Sequence, residues 1–271
     1  MAVENTAKLT IGRISYTNLF PIFYTLEREA DCSSYEFIDG VPSVLNRSIW
    51  SGDIDVSPSS SIEYLRHQDG YRLIEGHSIS SFGPIGSIFL FSKRPIEALD
   101  GLTVLATSQS ETSVALLTII LKKFYELDCR VRTTAAPLHT VMQSHEACLL
   151  IGDDALREAA RWPQFRVYDL GDVWYRHTGL PSVFALWIVR KDSAAAKAEL
   201  VERFVRDLDR ARDSALRNFR EIADHSWLRE IIPADEIVEY WQGISFDLGK
   251  EHMKGLDLFR RYAGELSLLN K

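Results

Sequence analysis

Residues 149–187, LLIGDDALREAARWPQFRVYDLGDVWYRHTGLPSVFALW, are the stretch that decides the fold. An apolar run at 147–151 ends at Gly-Asp-Asp and continues directly into a helical pattern. A second strand-like run lies at 165–170, and a third, at 182–190, follows a Thr-Gly-Leu-Pro turn. Strands that end at Gly or Asp beside a helix start are where open α/β sheets bind ligands. The stretch therefore predicts one wall of a small-molecule cleft.

Strand-like and helix-like segments alternate from the N-terminus up to this stretch. After residue 190, an apolar stripe from 200 to 222 predicts one long amphipathic helix, and 233–262 predicts two shorter helices. The predicted strands of the N-terminal part lie at 9–14, 35–38, 53–56, 72–74, 87–92 and 102–106, with Val131 in another strand. A helix that Asn18 can cap is predicted to follow the first strand, and further helices are predicted at 41–50, 62–67 and 114–127, with a turn-helix insertion at 95–101.

This order of elements predicts an α/β fold of two lobes, each built around a small parallel sheet. Two crossing runs, 88–92 and 184–189, are predicted to join the lobes as a hinge, with a cleft between them. The arrangement looks like the periplasmic-binding-protein type II architecture, with a central cleft and C-terminal helices. The predicted first lobe is discontinuous, 1–92 plus 184–271 with the helical tail, and the second lobe is 93–183.

The composition is that of an ordinary globular protein, with 271 residues of which 46% are hydrophobic and 25% charged. Three separated cysteines without a CxxC pair, and no secretion signal at the N-terminus, predict a cytoplasmic protein with free thiols. No apolar run approaches the ~18 residues needed to cross a membrane. The net charge of −7 argues against a nucleic-acid partner but permits an anionic small ligand. The tail helices leave a homodimer open.

Motifs for nucleotides, metals and serine nucleophiles are absent from the sequence. It contains no GxGxxG after a strand, no GxxxxGK(S/T), no HExxH and no GxSxG elbow. A covalent serine mechanism therefore has weak support. Among seven scattered histidines, His77 and His177 are the better candidates for catalysis because they lie in or near predicted cleft loops. A surface or hydrogen-bonded histidine is the more typical interpretation of each.

Hydroxyl and amide side chains are frequent at the junctions between predicted strands and the helices that follow them. Taken singly, such residues are more often helix caps than ligand contacts. Taken together around one cleft, hydroxyls and backbone N–H groups suit a carboxylate, because orphan donors and helix dipoles favour negative charge. Asp55, Asp153 and Asp154 are candidates to orient those donors or to act as a base, although capping is the more typical role of the last two. The candidate substrate-binding residues are Ser59, Ser60, Ser108, Ser110, Thr112, Ser113, Gly152 and Asp153, and Asn18 and Ser87 lie at two further junctions.

Six blocks of the sequence follow the order found in a known family. They are RISYTN at 13–18, GDIDVSPSSSIEYL at 52–65, SFGPIGSIFLFS at 81–92, SQSETS at 108–113, LIGDDAL at 150–156 and DLGDVWYRHTGLPSVFALW at 169–187. Together they are similar to the chorismate dehydratase family of the futalosine pathway of menaquinone biosynthesis. The resemblance covers roughly residues 9–190, about two-thirds of the chain, and its last two blocks are the most specific.

The resemblance implies a cytoplasmic hydro-lyase of the type II binding-protein fold that uses neither a metal nor an organic cofactor. Its expected reaction converts chorismate, a small anion, to 3-(1-carboxyvinyloxy)benzoate with loss of water. Asn18 and Ser87 fall on the family's active-site Asn and Ser, and 108–113 falls on its hydroxyl-rich substrate loop. The general base stays open between the substrate's own enolpyruvyl carboxylate, Asp153 and His77.

Two alternative functions stay open. A sister family of the same fold acts later in the pathway, on cyclic dehypoxanthine futalosine, as 1,4-dihydroxy-6-naphthoate synthase. The LIGDDAL and TGLPSVFALW blocks favour the dehydratase over this sister family. A non-catalytic protein that binds small anions is the second alternative, since fold alone does not separate a binder from an enzyme. The absence of an export signal disfavours a transport role for such a binder.

Overall fold

Residues 8–270 are described by the computed structural model, and two five-stranded sheets organise them. The strands are β1 (Leu9–Ile14), β2 (Tyr35–Gly40), β3 (Val56–Ser60), β4 (Tyr71–Ser81), β5 (Ile88–Ser92), β6 (Thr103–Thr107), β7 (Arg130–Thr134), β8 (Ala147–Ile151), β9 (Arg166–Asp169) and β10 (Ser182–Arg190). The strand order is β2-β1-β3-β10-β4 in the first sheet and β7-β6-β8-β5-β9 in the second.

Helices cover both sheets. They are α1 (Phe20–Glu29), α2 (Pro42–Ser51), α3 (Ser61–Arg66), α4 (Glu111–Ile119, continued by the π-helical turn Ile120–Phe124), α5 (Leu138–Ser144), α6 (Gly152–Arg161), α7 (Leu170–Thr178), α8 (Lys191–Ala196), α9 (Ala198–Arg217), α10 (Phe219–Ala223), α11 (Ala234–Gly243) and α12 (Lys250–Glu265). We call the first sheet with α1–α3 and α8–α12 the first lobe, and the second sheet with α4–α7 the second lobe. The boundaries predicted for the two lobes remain predictions, apart from the one strand discussed next.

One strand in each sheet runs against its neighbours, so the predicted all-parallel sheets are mixed. In the first sheet, β10 is antiparallel to β3 and β4, and in the second, β5 is antiparallel to β8 and β9. These two strands are the runs predicted as the hinge, and that prediction is wrong. Each has a partner on both sides and is almost wholly buried, which is why its sequence is a continuous apolar run. The chain instead passes between the sheets at 82–87 and 170–181, and β5 belongs to the second lobe rather than the first.

The C-terminal tail packs on the sheet and helices of the first lobe. The stripe at 200–222 forms two helices, α9 and α10, separated at Asn218, rather than one. The buried side chains of α9 recur every three or four residues, and its Phe204 ring lies 5.7 Å from that of Trp187 in β10. The apolar stripe therefore forms core with its own chain.

Three helices and part of one strand are missing from the predicted elements. The structure adds α5, α7 and α8, and it extends β4 through Ser81, where the sequence predicts a loop. Helix α7 begins because the Asp169 carboxylate caps it, accepting hydrogen bonds from Gly171 N and Asp172 N. It ends at Gly179. The second crossing of the chain is therefore a rigid helix rather than an open turn.

Candidate active site

A cavity lies between the lobes, where the carboxyl ends of β1, β3 and β8 meet the first residues of β5 and β10. It encloses about 40 Å³, room for only a few water molecules, so the cleft is nearly closed in this structure. Its lining residues are Ile14, Tyr16, Asn18, Pro42, Ser60, Ile79, Ile85, Ser87, Ile88, Ser110, Ser113, Ile151, Gly152, Phe184 and Ala185. This is the edge of the sheets at which the sequence predicts the ligand site.

The cavity wall combines apolar surface with neutral polar groups. Among the described residues that line it, none is Asp, Glu, His, Lys or Arg. Its one titratable side chain is Tyr16, and burial, followed by the charges of Asp154 and Asp153, raises the pKa of that phenol. The phenol therefore stays protonated near neutral pH, and the wall offers hydrogen bonds without a formal charge.

Two polar oxygens of the first lobe face this cavity without a protein partner. Asn18 Oδ1 and Ser60 Oγ are both buried, and neither has a hydrogen-bond partner among the described residues. Asn18 does not cap the following helix, because α1 starts at Phe20 with Leu19 in the cap position. Since a buried polar atom without a partner is costly, both atoms are suited to a ligand.

Ser87 lines the cavity just before β5, at the end of a loop whose backbone is hydrogen-bonded to the Asp169 carboxylate. Asp169 accepts hydrogen bonds from Ile85 N at 3.1 Å and Gly86 N at 2.6 Å, in addition to the two from α7. Burial raises the pKa of Asp169 above the usual aspartate value, and the four N–H donors oppose that shift. The Ser87 carbonyl accepts from Gly152 N at 2.8 Å, so β5 and α6 fix the serine backbone from both sides.

Two helix N-termini of the second lobe point at the cavity. Ser110 caps α4 by accepting a hydrogen bond from Ser113 N at 3.3 Å, and the two hydroxyl oxygens are 3.0 Å apart. Gly152 begins α6 with φ of +60°, and its backbone lies against the Tyr16 ring of the first lobe. Helix N-termini favour negative charge, so a neutral cavity with these two ends suits an anion.

Several predicted site residues do not line the cavity. Ser59 is buried in β3 beside Ser60, whose side chain points to the other face of the strand. Ser108 is exposed and borders a different groove, between α3 and α4. Thr112 Oγ1 accepts a hydrogen bond from Ile62 N at 3.1 Å and so joins α4 to α3 of the other lobe. Strand alternation and helix packing turn these three side chains away from the cavity, and their contact with a ligand stays a prediction.

Asp153 and His77, the candidate protein bases, are also engaged outside the cavity. The Asp153 carboxylate accepts hydrogen bonds from Thr17 N at 3.0 Å, Thr17 Oγ1 at 3.1 Å and Trp227 Nε1 at 2.9 Å. His77 is buried in the first lobe with its Nε2 2.8 Å from Asp209 Oδ1, and burial lowers its pKa. Neither group lines the cavity, and the role of either as a base stays a prediction. His177 likewise stacks on Phe124, 4.6 Å between ring centroids, and does not line the cavity.

Two tyrosines that the sequence analysis did not select belong to the site. Tyr16 lines the cavity, and Tyr240 of α11 donates a hydrogen bond from its hydroxyl to Ser87 Oγ at 2.9 Å. Tyr240 lies in an ordinary amphipathic helix pattern, and it meets Ser87 only because the tail folds back on the cleft. No local signal in the sequence marks it.

Within residues 8–270, no group of three or more His, Cys, Asp or Glu side chains is arranged to hold a metal ion. No helix of the described chain has the length and apolar character that crossing a membrane requires.

Comparison with known proteins identifies relatives across nearly the whole chain. A family model described as menaquinone biosynthesis matches residues 9–265. A chorismate dehydratase of Thermus thermophilus is 29% identical over 269 residues, covering 94% of both chains. A 1,4-dihydroxy-6-naphtoate synthase of the same organism is 24% identical over 212 residues, covering 76% of this chain and 75% of that one.

Solved structures share the fold at low sequence identity. A protein from Archaeoglobus fulgidus superposes with a TM-score of 0.80 at 17% identity, covering 98% of this chain and 100% of that one. The alkanesulfonate-binding protein of Xanthomonas axonopodis pv. citri, bound to MOPS, gives 0.69 at 13% identity and covers 99% and 95%. The fold is therefore the α/β periplasmic-binding-protein fold that the sequence predicts.

Proposed function

The chain belongs to the menaquinone biosynthesis family, and from this premise we propose that it is a chorismate dehydratase. The relative of that name aligns over 94% of the chain, whereas the naphthoate synthase aligns over 76% at lower identity. The observation that carries the proposal is the cavity itself, in which unpaired Asn18 and Ser60 oxygens and the Ser87 hydroxyl face two helix N-termini. These groups suit a small anion that reacts by redistributing charge rather than by meeting a strong protein base.

The reaction is an elimination of water from the ring of chorismate. A base removes the proton from the ring carbon that bears the enolpyruvyl ether, and the electron pair spreads through the ring diene to the ring carboxylate. Hydroxide then leaves the neighbouring carbon, and the ring becomes aromatic as 3-(1-carboxyvinyloxy)benzoate. Hydroxide and the abstracted proton together make the released water. Because negative charge grows on the ring carboxylate, donors directed at it stabilise the transition state.

We assign two roles to the polar side chains that line the cavity: hydroxyl groups donate hydrogen bonds to the substrate, and one amide orients it. Ser87, with Ser110 and Ser113 at the start of α4, donates to the ring carboxylate. Asn18 orients the leaving hydroxyl or the enolpyruvyl group from the opposite wall. The substrate's enolpyruvyl carboxylate acts as the base, an assignment supported by the absence of an acidic or histidine side chain among the described lining residues.

Closure of the lobes around the substrate completes the site. Hydrogen bonds between the lobes surround the cavity, including Ser43 N to Gln109 O at 3.0 Å and Ile62 N to Thr112 Oγ1 at 3.1 Å. A closed cleft excludes water and strengthens each hydrogen bond to the developing charge. We expect substrate entry and product release to require that these contacts open. As a biosynthetic enzyme for a small anion, the chain is expected to act in the cytoplasm without a nucleic-acid partner.

Incubation of the purified chain with chorismate tests this proposal. We expect a new aromatic absorbance and a product lighter than chorismate by one water, without added metal or cofactor. A chain that binds chorismate saturably without forming product is a binding protein of the same fold, and the proposal is then wrong. Turnover of cyclic dehypoxanthine futalosine with no turnover of chorismate would instead identify the sister activity.

A further inference from the structure

Helix α11 lies outside the cavity and contacts the segments that carry Ser87 and Asn18. Tyr240 donates its hydroxyl proton to Ser87 Oγ at 2.9 Å, and the next residue, Trp241, donates its indole N–H to the Thr17 carbonyl at 2.9 Å. Neither ring lines the cavity, and both are buried. One turn of helix thus contacts the two backbone segments that carry Ser87 and Asn18.

The hydrogen bond from Tyr240 constrains the serine proton. A serine hydroxyl has one hydrogen to donate and two lone pairs to accept with. When Tyr240 donates to Ser87 Oγ, the serine hydrogen has to point elsewhere, and the open direction is the cavity that Ser87 lines. Burial raises the pKa of Tyr240, so its phenol remains a donor across the neutral range.

The Tyr240 ring is itself held in place. A methyl group at Gly86 would lie 3.1 Å from Tyr240 Cδ2, which shows that the ring packs closely on the backbone before Ser87. The same backbone is fixed from its other side by the Asp169 carboxylate, through Gly86 N at 2.6 Å. In the closed cleft, the donor and the acceptor of the Tyr240–Ser87 hydrogen bond are therefore both held in place.

We propose that Tyr240 is a positioning residue that orients the Ser87 hydroxyl so that its proton is donated to the substrate's ring carboxylate. This inference rests on the proposed function. Donation from Tyr240 also polarises the Ser87 O–H bond, because hydrogen bonds in a chain strengthen one another. Tyr240 acts on the substrate through Ser87 alone, and this distinguishes it from a residue that contacts the substrate.

A double-mutant cycle on chorismate turnover tests the proposal. Tyr240→Phe is expected to lower kcat by about 3- to 10-fold, the range of one net hydrogen bond, with little change in KM. In the Ser87→Ala background, Tyr240→Phe is expected to cause no further loss. Tyr35→Phe is the matched control, because Tyr35 is also buried and donates to Asp207 at 2.6 Å, in the first lobe away from the cavity. It is expected to leave kcat unchanged.

Other outcomes overturn the proposal. An unchanged kcat in Tyr240→Phe, or an equal loss with and without Ser87, excludes action through the serine. If Tyr240→Phe does not fold, 3-fluorotyrosine at position 240 keeps the ring and strengthens the donor, so kcat is expected to hold or rise, and a fall contradicts the proposal. Lack of turnover by the unmodified chain would instead overturn the proposed function, so the two failures are distinguishable.

Discussion

Ser87 and Asn18 face one cavity, but different aspartates hold their backbones in different ways. Beside Ser87, Asp169 accepts four backbone N–H groups that all belong to its own lobe or to the crossing segments. Beside Asn18, Asp153 of the second lobe accepts from Thr17 of the first, and from the indole of Trp227, which is 44% exposed. If the lobes separate, we expect the first set of bonds to remain formed and the second to break.

This difference indicates which half of the site is built in advance. Close packing at the crossing supports it, since a methyl group at Gly171 would lie 2.6 Å from the Gly83 carbonyl oxygen. We therefore expect Ser87 to keep its position in an open form of the protein, and Asn18 to reach its position opposite Ser87 only on closure. Binding energy from the substrate is then used to assemble the site.

Among the changes that test this difference, the largest effect is expected where Gly152 meets Tyr16 across the cleft. A methyl group on Gly152 would lie 2.7 Å from Tyr16 Cδ1, so Gly152→Ala is expected to hold the lobes apart and lower turnover about 100-fold, as misplacement by about 1 Å does. Gly179→Ala is the control, because Gly179 has a similar φ of +68° but open space around it. Equal turnover in both variants would show that backbone strain, and not closure, causes any loss.

Asp169→Asn is expected to lower stability rather than to act on closure. An amide NH₂ facing the N–H of Gly86 or Ile85 leaves a buried donor unsatisfied, at a cost of about 1–3 kcal/mol in the free energy of unfolding. Denaturant unfolding measures this loss, with Asp172→Asn as the control because that side chain makes only a surface pair with Arg176. Equal stability of the two variants would contradict the claim that Asp169 fixes the backbone beside Ser87.

Asp153→Asn is expected to lower turnover about tenfold, because at least one of the hydrogen bonds across the mouth is lost on closure. Its stability is expected to match that of the unmodified chain within about 0.5 kcal/mol, since we expect the protein without substrate to lie mainly in an open form that lacks this contact. Asp154→Asn serves as the control, because Asp154 is exposed and pairs with Arg157. A loss of stability as large as that of Asp169→Asn would remove the distinction between the two aspartates.

The smallest expected effect is on molecular dimensions. A compact chain of this length has a radius of gyration of about 18 Å. Small-angle scattering is expected to show a slight contraction when chorismate is added, and none for Gly152→Ala. Identical dimensions of the unmodified chain with and without substrate would count against a closing cleft.

The sequence predicts much of the architecture because the apolar patterns that define strands and helices are local. Apolar runs such as Ala147–Ile151 and Ser182–Arg190 predict strands, and the apolar stripe of α9 predicts a buried helix face. It does not predict which strands are reversed, since β5 and β10 read as apolar runs whatever their direction. Helix α7 is missed because its cap, Asp169, has the same appearance as a strand end.

The site is predicted only in part, because local patterns do not encode contacts between distant parts of the chain. Asn18, Ser60, Ser87, Ser110, Ser113 and Gly152 line the cavity because they follow or begin strands at one edge of the sheets. Because side chains alternate along a strand, Ser60 faces the cavity and Ser59 does not. The Asp153 carboxylate is hydrogen-bonded to Thr17 of the other lobe and does not line the cavity. Tyr240 depends on a contact over 153 residues of chain, which no local pattern encodes.

The most direct test of the account is the rate at which Ser87→Ala converts chorismate to the aromatic product. Ser92→Ala is the control at the other end of β5, where the hydroxyl donates to the Arg94 carbonyl at 2.7 Å. We predict that Ser87→Ala, and likewise Asn18→Ala, folds normally and loses about 10²- to 10³-fold in turnover, the usual effect of removing one donor to a developing oxyanion. Ser92→Ala is predicted to retain full turnover. Turnover of Ser87→Ala close to that of the unmodified chain would contradict the account.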